Sequence, residues 1–362
     1  MMEETEVKTR FRTVMMTSLM LAAGAAQAFA QGIAPAVPAE KEKDKKRVLE
    51  VGKWYPLLES GLNLTQSAYS ENWKGGDTGS ISWSAYITGS AERQMSPSLN
   101  WLNTMHLKYG QTRDQNVNPD GSRSWGRSEP STDQIDVESL FRLTRGWAVD
   151  PYFSARFETL FQDVSDPFGR KLWFNPMTLK ESAGVARKFI DMENHQLLGR
   201  FGVTAREMHR SFFLATTGDE TTSQTSWDSG AELVIDYMRV FNPQLTYTTR
   251  FSAYKPFHWS KTEVFDALSP DSLDAAGLDR NIADYTTSSD IDWQNTISAK
   301  VTKVIAVQLY VEFLYDQYDN TIVPVVDESG SLTNPEVVNF AVRKKGQYKQ
   351  TLGIGLVWTF GS

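Results

Sequence analysis

Charged side chains recur at alternating positions in segments that otherwise have the pattern of β-strands, and they could act on a polar solute. If these segments enclose a lumen, the residues that we expect to line it are Asp136, Glu138, Arg142, Arg156, Glu158, Arg200, Arg206, Glu232, Asp236, Arg250, Lys300 and Glu312. They could select a solute in a water-filled interior, or they could form structural ion pairs between neighbouring strands. Glu138 with Arg156 and Arg200 with Glu232 are the pairs expected on the second interpretation, which is the favoured one.

A second candidate is the loop motif Asn72, Trp73, Lys74, Gly75 and Gly76. Its backbone N–H groups and its lysine could bind an anion or a sugar headgroup. A tight hairpin with glycines at positive φ and a tryptophan at the membrane interface explains the same residues, and it is the favoured interpretation.

The chain has no cysteine, which excludes thiolate metal sites, disulfides and cysteine nucleophiles. The four histidines, His106, His195, His209 and His258, show no HExxH or clustered spacing, so neither a metal nor another cofactor is expected. His209 and Ser211 would share one strand face, as a base and a hydroxyl nucleophile must, and this is similar to outer-membrane phospholipases. No surrounding motif matches that family, so the expectation is that the protein is not an enzyme.

From Leu58 onward, apolar residues occupy every second position in runs of strand length, and turn residues separate the runs. The last run is the clearest, with five large apolar residues on one face: Leu352, Ile354, Leu356, Trp358 and Phe360. About twelve such runs occur, and bacterial outer-membrane barrels use even numbers of strands. The pattern predicts an all-β fold, a transmembrane antiparallel up-and-down β-barrel of about twelve strands.

A soluble β-sandwich would also alternate, but the connections favour the barrel because short and long ones alternate strictly. The long ones are predicted at Thr112–Thr132, Gln162–Pro176, Arg210–Trp227, Pro256–Ser289 and Gln317–Gly346. In the fourth of these a helix is expected over Ser272–Ala283, which would narrow the pore if the loop folds inward.

The segment from Leu62 to Trp83, with the element Asn72-Trp73-x-Gly75-Gly76, resembles the opening of a Bacteroidota-type family of unknown function, DUF3078. The resemblance implies an outer-membrane barrel and supplies no activity. The closing strand Leu352–Phe360 also resembles the terminal signal that the barrel-assembly machinery recognises, which makes that machinery an expected partner. The net charge of −7 argues against nucleic acid as a partner.

The expected function is passage of small polar solutes across the outer membrane, because the inferred lumen is polar and charged. The alternative is a closed barrel that acts through its extracellular loops as an adhesin, a receptor or an assembly partner. A lipid hydrolase is the third possibility. Outer-membrane lipid and lipopolysaccharide are expected to surround the barrel.

Three segments are expected in the 362 residues: a signal peptide over 1–30, a flexible periplasmic linker over 31–53, and the barrel over 54–362. The linker is rich in Ala and Pro and then densely charged, so it cannot bury a core. An even strand count after an exported linker puts both termini in the periplasm.

The first prediction is cleavage after Ala30. A basic stretch precedes an apolar run at Val14–Ala26, and Ala28-Phe29-Ala30 fits the small-x-small rule for signal peptidase. The intact mass of the protein purified from outer membranes should correspond to a chain that begins at Gln31. A mass that begins at any other residue would contradict this assignment.

Overall fold

Twelve long strands form the body of the protein in the computed structural model, which describes residues 48–67, 69, 78–120, 122–166, 168–214, 218–328 and 330–360. Residues 1–47 and the Asn72–Gly76 motif lie outside the described residues. The strands are β1 Trp54–Ser67, β2 Ser80–Ser96, β3 Leu99–Val117, β4 Glu129–Leu143, β5 Asp150–Thr159, β6 Met177–Asp191, β7 His195–Phe213, β8 Thr221–Asn242, β9 Leu245–Trp259, β10 Asp290–Lys300, β11 Ile305–Tyr315 and β12 Gln347–Phe360.

Each strand pairs antiparallel with the strand before it, and β12 returns to pair with β1. The closing ladder runs from Leu58 opposite Phe360 to Asn63 opposite Gly355. The sheet is therefore a closed barrel, and the predicted fold class and strand number are confirmed. Closure matters because an unpaired sheet edge in a bilayer would leave backbone groups without hydrogen bonds.

The two faces of the sheet have the reverse of the polarity found in a soluble protein. On β7 the outward Phe201 and Val203 are 58% and 65% exposed, whereas the inward Arg200 and Thr204 are 3% and 2% exposed. On β12 the large apolar residues point outward, as predicted, and Gly353 and Val357 point inward. Apolar side chains outside and polar ones inside suit a barrel that lipid surrounds.

Aromatic rings on the outer face form two bands. Trp101 on β3 contacts Trp54 and Phe141, with ring centroids 5.2 and 5.4 Å apart. Nearer the other end of the same strand, Tyr109 contacts Trp83 at 5.8 Å. Eight residues separate Trp101 from Tyr109, which is about 26 Å along a strand and about 20 Å along the axis of a tilted barrel. This spacing approaches the height of the apolar band of outer-membrane barrels.

Short turns lie at one end of the barrel, and long loops lie at the other. The turns cover residues 97–98, 144–149, 192–194, 243–244 and 301–304, and the loops cover 68–79, 118–128, 160–176, 214–220, 260–289 and 316–346. The loop expected at Arg210–Trp227 is much shorter than predicted, because β7 and β8 stay paired as far as Phe213 and Thr221.

The loop over residues 260–289 carries three short helices, α1 Thr262–Asp266, α2 Pro270–Ala275 and α3 Ile282–Tyr285, and the loop over 316–346 carries α4 Pro335–Ala341. The helix predicted over Ser272–Ala283 is therefore wrong in its bounds. Helix α2 begins after Ser269, whose Oγ accepts the N–H of Ser272 at 3.1 Å. It ends where Gly277 takes a left-handed conformation with φ +69°, as expected of a C-terminal helix cap.

These two loops pack together into an apolar cluster that we call the cap. Phe265 and Ile282 come from the first loop, and Tyr318 and Val338 come from the second. They are buried against Trp259 of β9 and Met208, which points inward from β7. Part of the long-loop mouth of the barrel is therefore covered by a folded layer with its own core.

The second prediction concerns Gly202, an inward position of β7. A Cβ at this position would lie 2.8 Å from the Tyr152 hydroxyl, and Gly184 stands opposite it on β6. We expect Gly202→Leu to lower the unfolding free energy by about 1–3 kcal/mol, the usual cost of overpacking. Urea unfolding in detergent measures it. The matched control is Val203→Leu, which faces outward; equal unfolding midpoints for the two variants would contradict the tight contact.

Candidate functional site: the charged interior

Alternation along the strands places most of the predicted lumen residues inside the barrel, and the most deeply buried of them lie on β4, β5, β7 and β8. These are Asp136, Glu138, Arg142, Arg156, Arg200 and Glu232. Glu158 and Asp236 keep about a third of their side-chain surface exposed. Lys300 ends β10 at the short-turn end, and Glu312 is half-buried on β11.

Glu138 lies at the centre of the interior. Its Oε2 accepts hydrogen bonds at 3.2 Å from Arg200 Nη2 and from Arg250 Nη2, and a second, shorter contact joins it to Arg200. Two strands separate β4 from β7, and four separate β4 from β9, so these contacts cross the lumen. Asp236 completes the group, because it accepts from Arg250 at 3.1 Å and lies 3.4 Å from Arg200.

A second group surrounds Arg156. Its guanidinium donates two hydrogen bonds of 2.8 Å to Asp136 and lies 2.8 Å from Glu158. Lys180 links Glu158, at 3.8 Å, to Glu232, at 3.5 Å. Nearly all of these charges are shielded from solvent, so each depends on its partners for stabilisation.

The predicted pairs Glu138–Arg156 and Arg200–Glu232 are therefore wrong. Glu138 and Arg156 do face each other in the β4–β5 register, but Arg156 turns to Asp136 and Glu158. Glu138 instead reaches across the lumen. Reasoning from neighbouring strands could not identify these partners, because closure of the sheet brings them together.

A third group lies toward the long-loop end, and the sequence reasoning missed most of it. Arg206 donates to Asp228 at 2.6 and 2.9 Å and to Asp290 at 2.8 Å, and it lies 4.0 Å from the centre of the Tyr254 ring. Asn320 from the cap donates to Asp228 at 3.1 Å. The cap is thus tied to the interior by a buried hydrogen bond. Asp228 shares the even-numbered inward register of Glu232, which was the signal that could have found it.

Two carboxylates of the loop over 316–346 also belong to this end. Burial, Asp290 and Asp319 together raise the pKa of Asp316 to about 8. Burial also disfavours the ionised form of Asp319, but Arg210 and Arg343 outweigh it and hold the pKa of Asp319 below its usual range. Arg343 lies between the two carboxyls, 3.3 Å from Asp316 and 3.2 Å from Asp319, and Arg210 lies 3.3 Å from Asp319.

A fourth group closes the charged wall at the short-turn end. Arg142 donates to Asn100 at 2.9 Å and lies 3.8 Å from Glu92, which also meets Lys188 at 3.5 Å. Lys188 is on β6 and Glu92 is on β2, so this contact again joins strands that are not neighbours. The ion pairs therefore run along most of the length of the barrel.

The opposite wall has a different character. Strands β12, β1 and β2 turn many small, uncharged residues inward: Thr351, Gly353, Gly355, Gly61, Asn63, Thr65, Ser82, Ser84, Thr88 and Ser90. Larger inward residues interrupt them toward the short-turn end, where the Tyr86 hydroxyl donates to Glu59 at 3.1 Å and Glu92 meets Arg142. Thr65 and Thr351 are exposed although they point inward, so water has room beside them. Two cations make contacts across the lumen in front of this wall. Lys108 of β3 lies 4.1 Å from the ring centre of Tyr310 on β11, and Lys349 of β12 lies 3.5 Å from Thr132 Oγ1 on β4.

Two further findings hold for the part of the chain that the structure describes. No three His, Asp or Glu side chains in these ranges are grouped so that they could hold a metal ion. None of the helices described here has the length and apolar character needed to cross a membrane.

An apolar outer face, two aromatic bands and a charge-paired interior together define a transmembrane β-barrel of the outer-membrane type. Residues 64–163 match the family described as "Protein of unknown function (DUF3078)", so the resemblance predicted from the first hairpin is confirmed. No curated protein matches the chain.

Three solved structures are similar in outline. The COG4313 outer membrane channel from Pseudomonas putida F1 is 10% identical, with 90% of this chain and 100% of that chain covered and a TM-score of 0.34. The beta domain of the Bordetella autotransporter BrkA is 8% identical, with 84% of this chain and 97% of that chain covered and a TM-score of 0.28. OmpF of Salmonella typhi in complex with daunomycin is 8% identical, with 85% of this chain and 97% of that chain covered and a TM-score of 0.21. The barrel assignment follows from the strand pairing of this chain itself.

The third prediction tests the central group. Glu138→Gln removes the anion between Arg200 and Arg250, and we expect a loss of about 3–5 kcal/mol in unfolding free energy, as for a broken buried ion pair. Urea unfolding in detergent is again the measurement. Glu129→Gln, at the exposed start of β4, is the control and should leave the midpoint unchanged. A Glu138→Gln midpoint equal to wild type would contradict a structural role for the central group.

Proposed function

We propose that the protein is a narrow channel for small polar solutes in the outer membrane and that the cap restricts it in this conformation. The observation that carries the proposal is the asymmetry of the interior. One wall is filled by ion pairs that cross the lumen, and the other presents small hydroxyl and glycine positions with room for water, such as Thr65 and Thr351.

The charged wall limits the width of the path. Twelve strands stand between the filled eight-stranded barrels and the open sixteen-stranded porins. In this barrel the Glu138–Arg200 and Glu138–Arg250 pairs occupy the middle of the lumen. Breaking these ion pairs would leave buried charges without partners, which strongly destabilises a folded protein. Solutes would therefore pass along the uncharged wall, and the path would admit only small ones.

The proposed orientation has the long loops and the cap outside the cell and both termini in the periplasm. Outer-membrane barrels have short periplasmic turns and longer extracellular loops. The short turns at one end of this barrel and the longer loops at the other support the proposed orientation. On this proposal the chain is exported by its signal peptide, the assembly machinery recognises β12, and outer-membrane lipid with lipopolysaccharide surrounds the barrel.

A second candidate function is supported by the loop over residues 160–176. Phe168, Trp173 and Phe174 are all exposed there, and Phe174 has the left-handed φ of +52° that is rare outside glycine. Exposed aromatic residues on a conformationally strained loop are typical of a surface that binds a partner. A closed barrel that acts through its loops as a receptor or adhesin is therefore the alternative.

The proposal includes no catalytic step. His209 Nδ1 lies 3.1 Å from Thr225 Oγ1, and Ser211 Oγ lies 2.9 Å from Ser223 Oγ. Each side chain thus contacts a hydroxyl on β8 rather than the other member of the predicted base–nucleophile pair. A Ser211→Ala variant with reduced phospholipid hydrolysis relative to wild type would favour the hydrolase instead.

The fourth prediction tests the channel and its closure. We expect the chain from Gln31, refolded into a planar bilayer, to show small discrete current steps. We expect Val338→Asp to increase the open fraction several-fold, because it places a carboxylate in the core of the cap, where Val338 is 0% exposed.

The control is Val337→Asp, since this neighbouring side chain is 37% exposed and lies outside the buried cluster. It should behave as wild type. Heat-modifiable gel mobility establishes that each barrel has folded. Folded protein that passes no current in all three forms would end the channel proposal and favour the loop-mediated function.

A further inference from the structure

The ladder that closes the barrel stops four residues before the end of β1. It joins six residues of β1 to β12 and ends where Asn63 faces Gly355. In the same register the next pairs would be Leu64 with Ile354 and Thr65 with Gly353. Among the residues that the structure describes, the pairing of β1 with β12 ends at Asn63.

Neither strand ends at that point. Strand β1 continues to Ser67 and pairs with β2 as far as Ser80, through fourteen partners. Strand β12 begins at Gln347 and pairs with β11 from that residue onward. Both strands are therefore intact on their other sides, and the break belongs to the seam between them. We call the stretch between residues 64–67 of β1 and residues 351–354 of β12, which would face each other in this register, the open seam.

The open seam lies in the half of the membrane nearer the long loops. Leu64 faces Trp83, a member of the aromatic band at that end. Tyr348, near the start of β12, contacts Phe313 with ring centroids 5.2 Å apart and belongs to the same end of the barrel. The seam therefore faces the outer leaflet in the proposed orientation. Backbone groups left unpaired at this depth need water or a polar ligand, because lipid tails offer no hydrogen bonds.

The two sides of the open seam have opposite chemistry. On the lipid side, Leu64, Leu352 and Ile354 are 60%, 63% and 62% exposed. On the lumen side, the exposed residues are Thr65 and Thr351. The side chain of Asn63 lies over the two inward glycines at the lower end of the seam and donates to Ser84 Oγ at 3.3 Å. A molecule in the seam would meet apolar contacts outside and hydroxyl groups inside.

We propose that the open seam is a lateral opening through which a single-chain amphipath moves between the lumen and the outer leaflet, with its tail in the seam and its polar head in the lumen. The observation behind it is the interrupted ladder with an apolar rim and a hydroxyl-lined interior. The proposal goes beyond passage of small polar solutes. It holds whether or not the lumen conducts ions, so the two proposals can fail separately.

Cysteine pairs test whether the seam is open, and the natural chain supplies a cysteine-free background. The test pair is Leu64→Cys with Ile354→Cys, just past the end of the ladder. The matched control is Leu62→Cys with Leu356→Cys, which lies on the same face and is paired in the structure. In proteoliposomes under copper-phenanthroline oxidation, the control pair should form its disulfide at least about tenfold faster. Equal rates of disulfide formation for the two pairs would mean that β1 and β12 are paired along the seam and would overturn the proposal.

A photoreactive lipid tests the ligand. Proteoliposomes of wild type are mixed with a sixteen-carbon fatty acid that carries a diazirine beside its carboxylate head, illuminated, and mapped by peptide mass spectrometry. We expect labels on inward positions beside the seam, namely Asn63, Thr65 and Thr351, in addition to outward ones. Labels restricted to the outward leucines and isoleucines would show only ordinary contact with lipid and would overturn the proposal.

Cross-linking the two sides of the seam before photolabelling combines the two tests. A short bismaleimide across the Leu64→Cys, Ile354→Cys pair should remove the inward labels and keep the outward ones. The same reagent across the Leu62→Cys, Leu356→Cys pair should leave both sets unchanged. Inward labels that survive cross-linking of the Leu64→Cys, Ile354→Cys pair would show that the head group reaches the lumen by another route, which contradicts the lateral opening. Heat-modifiable mobility establishes folding of every variant.

Discussion

The structure depends on one constraint, which is that a barrel in lipid must turn its charges inward and then neutralise them there. Glu138 shows how this is met, because Arg200 and Arg250 reach it from strands on other sides of the lumen. A carboxylate and two guanidinium groups held away from water are stable only together. The pairs therefore connect β4 to β7 and to β9 across the lumen.

Most of the interior ion pairs lie on the side of the barrel formed by β4 to β9. The groups around Arg156, Arg206 and Arg142 continue the ion pairs along the same wall. The cap is also fixed to this side, through Asn320 and its contact with Asp228. In front of the wall formed by β12, β1 and β2 the contacts across the lumen are Lys108 with Tyr310 and Lys349 with Thr132, and the exposed Thr65 and Thr351 mark the space left for water.

The sequence was sufficient for what depends on one strand or one connection. Alternation identified the outward face of β12, and turn spacing identified which loops share an end. It was not sufficient where distant segments meet. The partners of Glu138 lie 62 and 112 positions away, and only closure of the sheet brings them into contact. The cap was missed for the same reason, since Phe265 and Val338 form one core from separate loops, and Gly277 ends the expected helix early.

The position of the open seam follows from the same asymmetry. Closing the barrel pairs its first strand with its last, and the open seam lies in that pairing. The ion pairs of Glu138 join β4 to β7 and β9, so they do not hold β1 against β12. The small residues Gly353 and Gly355 beside Asn63 give the wall of β12, β1 and β2 little side-chain contact to hold it shut. The ion pairs of Glu138 and the incomplete ladder therefore lie on different sides of the same interior.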